Sequence, residues 1–66
     1  MTVEIGKTVE MANGWLLEVK KIDWWSDDDG QVHGHMFNGK KWSAYKYLGT
    51  VKGIREMAVS RLRIVG

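Results

Sequence analysis

Cysteine and proline are both missing from this 66-residue chain. Without cysteine there is no disulfide to staple a small fold and no thiolate metal site. Without proline there is no rigid X-Pro turn, so the chain must reverse direction on Gly, Asn, Asp and Ser. No apolar run approaches the ~20 residues a membrane-spanning helix needs, and the N-terminus lacks the apolar core of a signal peptide. These absences lead to the expectation of a soluble, cytoplasmic protein with no membrane partner. Catalytic signatures are missing too. There is no nucleophile elbow, no Gly-rich phosphate loop opening a helix and no Cys/His pair. Ser26, Ser43 and Ser60 stand apart, with no neighbour that marks one as activated. The expected protein is a non-enzyme with no cofactor.

Acidic residues run short in the second half. Residues 1–30 carry three lysines against seven acids, a net of −4, whereas residues 31–66 carry seven basic residues against Glu56 alone, a net of +6. A basic half of this kind can attract phosphate backbones or an acidic protein surface. The composition, 44% hydrophobic and 27% charged, is that of a globular domain rather than a disordered chain. With no repeat, linker or low-complexity tract, residues 1–66 read as one domain, close to the lower size limit for folding unaided.

What the chain has in excess is aromatic surface. Four Trp, two Tyr and one Phe occur in 66 residues, most of them between Trp24 and Tyr47. Each such ring can bury roughly 150–250 Å². Some of these rings are therefore expected to build the core, and for any single ring the core is the simplest place. Adjacent Trp24 and Trp25 cannot both face inward on a regular strand. Trp25 and Trp42 fall out of phase with the apolar rows and are the rings expected at the surface.

Period-two alternation dominates the chain and predicts strands. Val3, Ile5, Val9 and Met11 share one face of a first strand over 3–11, with Lys7 interrupting the row. Ala12-Asn13-Gly14 makes a turn. Trp15, Leu17 and Val19 then point one way over a second strand ending near Trp25, and Ile22 and Trp24 continue on the opposite parity. That phase slip predicts a β-bulge near Lys20-Lys21. Ser26 to Gly30 is a polar turn, and Gln31 to Phe37 a third strand. Asn38-Gly39 is a strong signal for a two-residue type I′ hairpin. It would set Phe37 opposite Lys40, His35 opposite Trp42 and His33 opposite Ala44, with Tyr45 on the face of Val32 and Met36. Residues 46–53 read as a connection, Ile54 to Val59 as another strand, Ser60-Arg61-Leu62 as a 3₁₀ turn and Arg63 to Val65 as a closing strand. Ile54, Met57, Ala58 and Leu62 also fit the spacing of a short helix, which is the competing reading of that stretch.

The layout resembles the SH3-like small barrels, among them Tudor, KOW and bromo-adjacent-homology modules. The residues that carry the likeness are Ile5-Gly6-Lys7-Thr8-Val9, Gly14 to Val19, Val32 to Phe37, and the ending Arg55 to Val65. In those families the last strands flank a 3₁₀ turn with a buried Leu, which Leu62 would supply. The resemblance lies in pattern and contains no diagnostic motif. It departs from KOW in lacking the Gly-rich turn and from bromo-adjacent modules in length. It implies an all-β fold: a five-stranded, partly open SH3-like barrel with a short 3₁₀ turn before the last strand.

Three groups of residues invite a chemical reading. Asp27-Asp28-Asp29-Gly30 has the look of a calcium loop, but placing Gly30 sixth in an EF-hand puts Trp25 first and Met36 twelfth, both wrong for oxygen ligands. A solvated acidic turn fits better. His33 and His35, two apart, share one strand face, but zinc would need further ligands and the chain has neither Cys nor a third His. They read as surface or stacking histidines, and no metal site is expected. The third group is aromatic and basic. Trp42 and Trp25 are candidates for stacking on bases, with Lys40, Lys41, Lys46, Arg55, Arg61 and Arg63 for phosphates. The expected function is a small nucleic-acid-binding module, DNA and RNA both open. The alternative is a protein-interaction module (an adaptor, a subunit or a small inhibitor of the phage or mobile-element kind) whose Trp-rich surface meets a partner or a second copy. A methyl-ammonium cage built from Trp24, Trp25 or Tyr45 is a further use of the same rings.

Overall fold

The computed structural model describes residues 3–65, with side chains through Ala58. Four antiparallel strands form one sheet in the order β1-β2-β3-β4, and a helix follows. The strands are β1 (Thr8–Glu10), β2 (Leu16–Trp24), β3 (Gly30–Phe37) and β4 (Lys46–Thr50), and the helix is α1 (Val51–Val65). The protein is thus mostly β. No helix among the described residues is long and apolar enough to cross a membrane.

Inward positions along the strands are Val9, Leu17, Val19, Ile22 and Val32, all buried. With Val3, Met11, and Val51, Ile54 and Ala58 of α1 they make a single core, against which Met36 and Leu48 pack. No aromatic ring belongs to it, contrary to expectation. Trp15, Trp24, Trp25, Trp42, Tyr45 and Tyr47 are 39–55% exposed. The strand phases of Trp15 and Trp24 do point inward, since their parity is that of Leu17 and of Ile22. Both lie at strand ends, and neither packs into the core that Val3 and α1 complete. Phase decides the side of a sheet a residue faces, and the covering element decides whether it is buried.

The bulge lies where the phase slip places it. Val19 pairs with Gly34 and Lys21 with His33, which leaves Lys20 as the extra residue. Gly34 is what allows the close approach there. A Cβ on it would stand 1.9 Å from the carbonyl oxygen of Glu18 and 3.1 Å from the amide of Lys20, both backbone atoms.

The hairpin register differs from the two-residue turn. Phe37 bridges to Trp42, and the Asn38 N–H donates to the Lys41 carbonyl at 3.3 Å. A type I′ turn needs positive φ at both central residues. Asn38 does not adopt it; among the described residues only glycines do, Gly39 with φ 95°. Asn38 instead uses its Oδ1 to accept from the N–H of Lys40 (3.0 Å) and of Lys41 (3.2 Å), an Asx turn over four residues. The Ser43 hydroxyl then takes the N–H of Met36 at 2.9 Å in place of a backbone carbonyl. Pairing resumes with Gly34 opposite Lys46 and His33 opposite Tyr47, so residues 46–50 are an edge strand rather than a connection.

The last part of the chain also departs from expectation. Residues 51–65, read as the end of a connection up to 53 and then as strand, 3₁₀ turn and closing strand from Ile54, are one helix. The sheet stays open at four strands, and the five-stranded barrel is not formed. The helical spacing of Ile54 and Ala58 prevails, joined by Val51, three buried residues on one face, whereas Met57 lies off that face and is 52% exposed. Thr50 caps the helix, its Oγ1 accepting the Gly53 N–H at 3.0 Å. α1 has no acid in its own first turn. Asp29 supplies one from across the fold, accepting the Lys52 N–H at 3.1 Å and the Gly30 N–H at 2.9 Å.

Candidate functional site

At one end of the sheet, where β2 begins and β3 stops, the inner face is left uncovered. Parity brings Met36 and Lys46 to that face, since Met36 pairs with inward Leu17 and Lys46 with inward Gly34. They meet Trp15 from the turn before β2 and Asn38, Lys41, Trp42 and Ser43 from the β3–β4 loop, enclosing a cleft of about 230 Å³. Trp42 stands at the edge between the two sheet faces. It borders this cleft and also contacts outward-facing Phe37, with ring centroids 5.2 Å apart.

The charge at this end is unopposed. Lys20, Lys21 and Lys52 are each within 4 Å of a carboxylate, at 3.8, 3.5 and 3.4 Å. Lys40, Lys41 and Lys46 make no ion pair among the described residues and are exposed. An ammonium without a carboxylate partner is available to an external anion.

The opposite end of the sheet has the other sign. Trp24 ends β2, and Trp25 enters the turn, its N–H donating to the Asp29 carbonyl at 3.1 Å. That turn is occupied with the fold. Besides the Asp29 cap, Asp28 accepts from Ser26 Oγ at 3.1 Å and pairs with Lys52 Nζ at 3.4 Å. The Ser26 hydroxyl first, then Lys52, holds the Asp28 carboxyl below its ordinary range. The acidic loop thus serves as a tertiary helix cap, a role its sequence does not announce. Among the described residues no group of three or more His, Cys, Asp or Glu is placed to hold a metal ion.

The predicted site residues accordingly divide. Lys41, Lys46 and Trp42 come together around the cleft, and Lys40 lies in the adjoining loop outside its lining. Trp25 lies at the far end of the sheet, about seven residues of β3 or roughly 23 Å away, beside carboxylates. Arg55 is on α1, half-buried, and Arg61 and Arg63 are on the later turns of α1, where side chains fall outside the described residues. Trp15, read as a core residue by its phase, is the cleft residue that sequence reasoning missed. Its place next to the Asn13-Gly14 turn, outside the strand proper, was the available signal.

The outward face of the sheet carries a second aromatic group. His33 stacks on Tyr45 (centroids 6.2 Å, planes 10° apart) and meets Tyr47 edge-on at 5.7 Å, while His35 meets Tyr45 at 6.0 Å. The irregular stretch before β4 folds Tyr45 back onto this face rather than the face of Val32. His35 Nδ1 lies 2.9 Å from the Ser43 carbonyl. His33 Nε2 is buried without a hydrogen bond, with Asp23 Oδ2 3.5 Å away. Tyr45 is therefore engaged with the two histidines.

No protein-family model, curated protein or solved structure matches the chain.

Proposed function

We propose that this protein is a small, non-enzymatic nucleic-acid-binding module that grips a single strand at the Trp15–Trp42 end of its sheet. The observation that carries this reading is the gathering of two unpaired lysines, Lys41 and Lys46, and a half-exposed Trp42 around one cleft, with unpaired Lys40 next to them in the β3–β4 loop. Lysines without carboxylate partners bind phosphates and release counterions. An indole with an open face stacks on any unpaired base, which favours single strands over duplex. Arg55, Arg61 and Arg63 of α1 would add phosphate contacts. Fluorescence anisotropy with labelled single- and double-stranded DNA and RNA, at low and then moderate salt, tests this. The expected result is salt-sensitive binding, tighter for single strands, with quenching of Trp emission. Absence of binding at low salt rules the reading out.

One observation favours a second reading, a protein-interaction module. The outward band of Phe37, His35, Tyr45, His33 and Tyr47 has no covering element, and Glu18 and Asp23 flank it rather than unpaired lysines. Tyr and Phe on an open face suit a protein partner or a second copy of the chain. Sedimentation of wild type and of a Lys40/Lys41/Lys46→Ala variant separates the two readings. Self-association through the band survives loss of the lysines, whereas nucleic-acid binding does not.

A further inference from the structure

The cleft has a more particular geometry than an open stacking platform. We propose that it is a pocket for one unstacked nucleobase, held between Trp15 and Trp42 above Met36, with the adjoining phosphate on Lys41 and Lys46; this rests on the nucleic-acid reading. Size is the first argument. At about 230 Å³ the half-open cleft is smaller than the 300–1,000 Å³ typical of pockets for drug-sized ligands, a size that suits a single small ring system.

The walls are the second argument. Two indoles and a thioether give flat, polarisable surfaces suited to a π-face. The third is the rim, where the two lysines without ion-pair partners call for an anion directly beside the ring. Asn38 adds selectivity. Its Oδ1 is already committed to the Lys40 and Lys41 N–H groups, which leaves its Nδ2 donors free of protein partners for a carbonyl or ring nitrogen on the base edge. Ser43 contributes little, because its hydroxyl accepts from Met36 and donates to the Ala44 carbonyl. A ring joined to a phosphate satisfies all of these groups together. An uncharged aromatic leaves the lysines idle.

The test uses the full chain, ¹⁵N-labelled, with its four indole N–H signals assigned by single Trp→Phe variants. Adenosine, adenosine 5′-monophosphate and a short single-stranded oligonucleotide are titrated in turn. The signals of Trp15 and Trp42 are expected to move together while Trp24 and Trp25 stay in place, with the monophosphate binding more tightly than the nucleoside. Trp15→Ala is expected to weaken oligonucleotide binding by roughly 5- to 150-fold, the range for removing one ring that stacks on a base, and Trp15→Phe to recover part of it. Trp24→Ala keeps wild-type affinity, and circular dichroism establishes that each variant is folded. If the oligonucleotide binds but the Trp15 signal stays still and Trp15→Ala binds like wild type, the pocket is overturned and the broader nucleic-acid reading stands. If no oligonucleotide binds at low salt, both fall. If an acidic aromatic peptide shifts Trp15 while nucleotides do not, the occupant is a protein segment and the base pocket is likewise overturned.

Discussion

Two pairs of tryptophans occupy opposite ends of one sheet, and their surroundings differ more than their chemistry. Trp15 and Trp42 stand among lysines that have no carboxylate partner. Trp24 and Trp25 stand beside an acidic turn in which Asp29 caps α1 and Asp28 pairs with its Lys52. All four rings are half-exposed. The lesson is that exposure of a Trp does not make a site. Neighbouring charge decides what it can bind, and at the acidic end a phosphate is repelled while the loop already serves the fold.

The comparison can be broken most completely at the middle of the sheet. Gly34→Ala would drive a Cβ into the Glu18 carbonyl, a backbone atom that cannot turn aside as a side chain can. We expect a loss of about 3 kcal/mol or more, a large share of the stability of so small a domain, seen as a lowered midpoint in urea unfolding. Both ends should fail together, because the β2–β3 pairing joins them.

Charge removal acts on one end only. With Lys40, Lys41 and Lys46 all changed to Ala, the slope of log affinity against log salt for single strands should fall by roughly 2, because each phosphate that a lysine neutralises contributes about 0.7. Thermal stability should change little, since these lysines carry no ion pair to lose. Within the Trp pairs, Trp42→Ala should weaken binding by roughly 5- to 150-fold and Trp25→Ala should leave it unchanged, measured by anisotropy on the same oligonucleotide.

The opposite end is probed through the helix. Asp29→Ala, which removes the acceptor for the Lys52 N–H, should destabilise by about 1 kcal/mol, and Thr50→Ala by a similar amount. Neither should alter nucleic-acid affinity if the ends are independent. The smallest expected effect is a pH dependence. The folded-state pKa of Asp28 lies below its unfolded value, so its contribution is present above the ordinary carboxylate range and is lost as pH falls through the folded value, below about pH 4. Asp28→Asn should flatten that part of an acid unfolding curve while leaving binding at neutral pH untouched.

Much of the local structure was legible in the residues themselves. The alternation of Leu17, Val19 and Ile22, with its slip at Lys20-Lys21, located both strand β2 and its bulge. Gln31 to Phe37 marked β3 to within one residue of its start. Asn38-Gly39 marked a reversal but not its length, because Asn38 had a second way to turn the chain, through its side chain. The helix was visible as the spacing of Ile54, Met57, Ala58 and Leu62, yet alternation in the same stretch competed with it. Of the deciding factors, the Thr50 cap stands directly before the helix and was available in the sequence, whereas Asp29 belongs to a distant part of the fold. For the candidate site, Lys41, Trp42 and Lys46 were legible as near neighbours in the sequence. Trp15 was not, because its partners Met36 and Lys46 are remote in sequence and meet it only through strand pairing.

By itself the sequence determined the exclusions, the sign of charge in each half, the inward rows of the strands and the position of the bulge, since each follows from residue type and short-range spacing. Tertiary structure alone decided which inward positions are covered. The helix joins the core through Val51, Ile54 and Ala58, while inward-phased Trp15 and Trp24 at the strand ends stay half-exposed. The aliphatic side chains fill the core beneath it, and the larger rings remain outside. There the long-range pairing of β2 with β3 and of β3 with β4 sorted them into an end beside unpaired lysines and an end beside an acidic turn that caps α1.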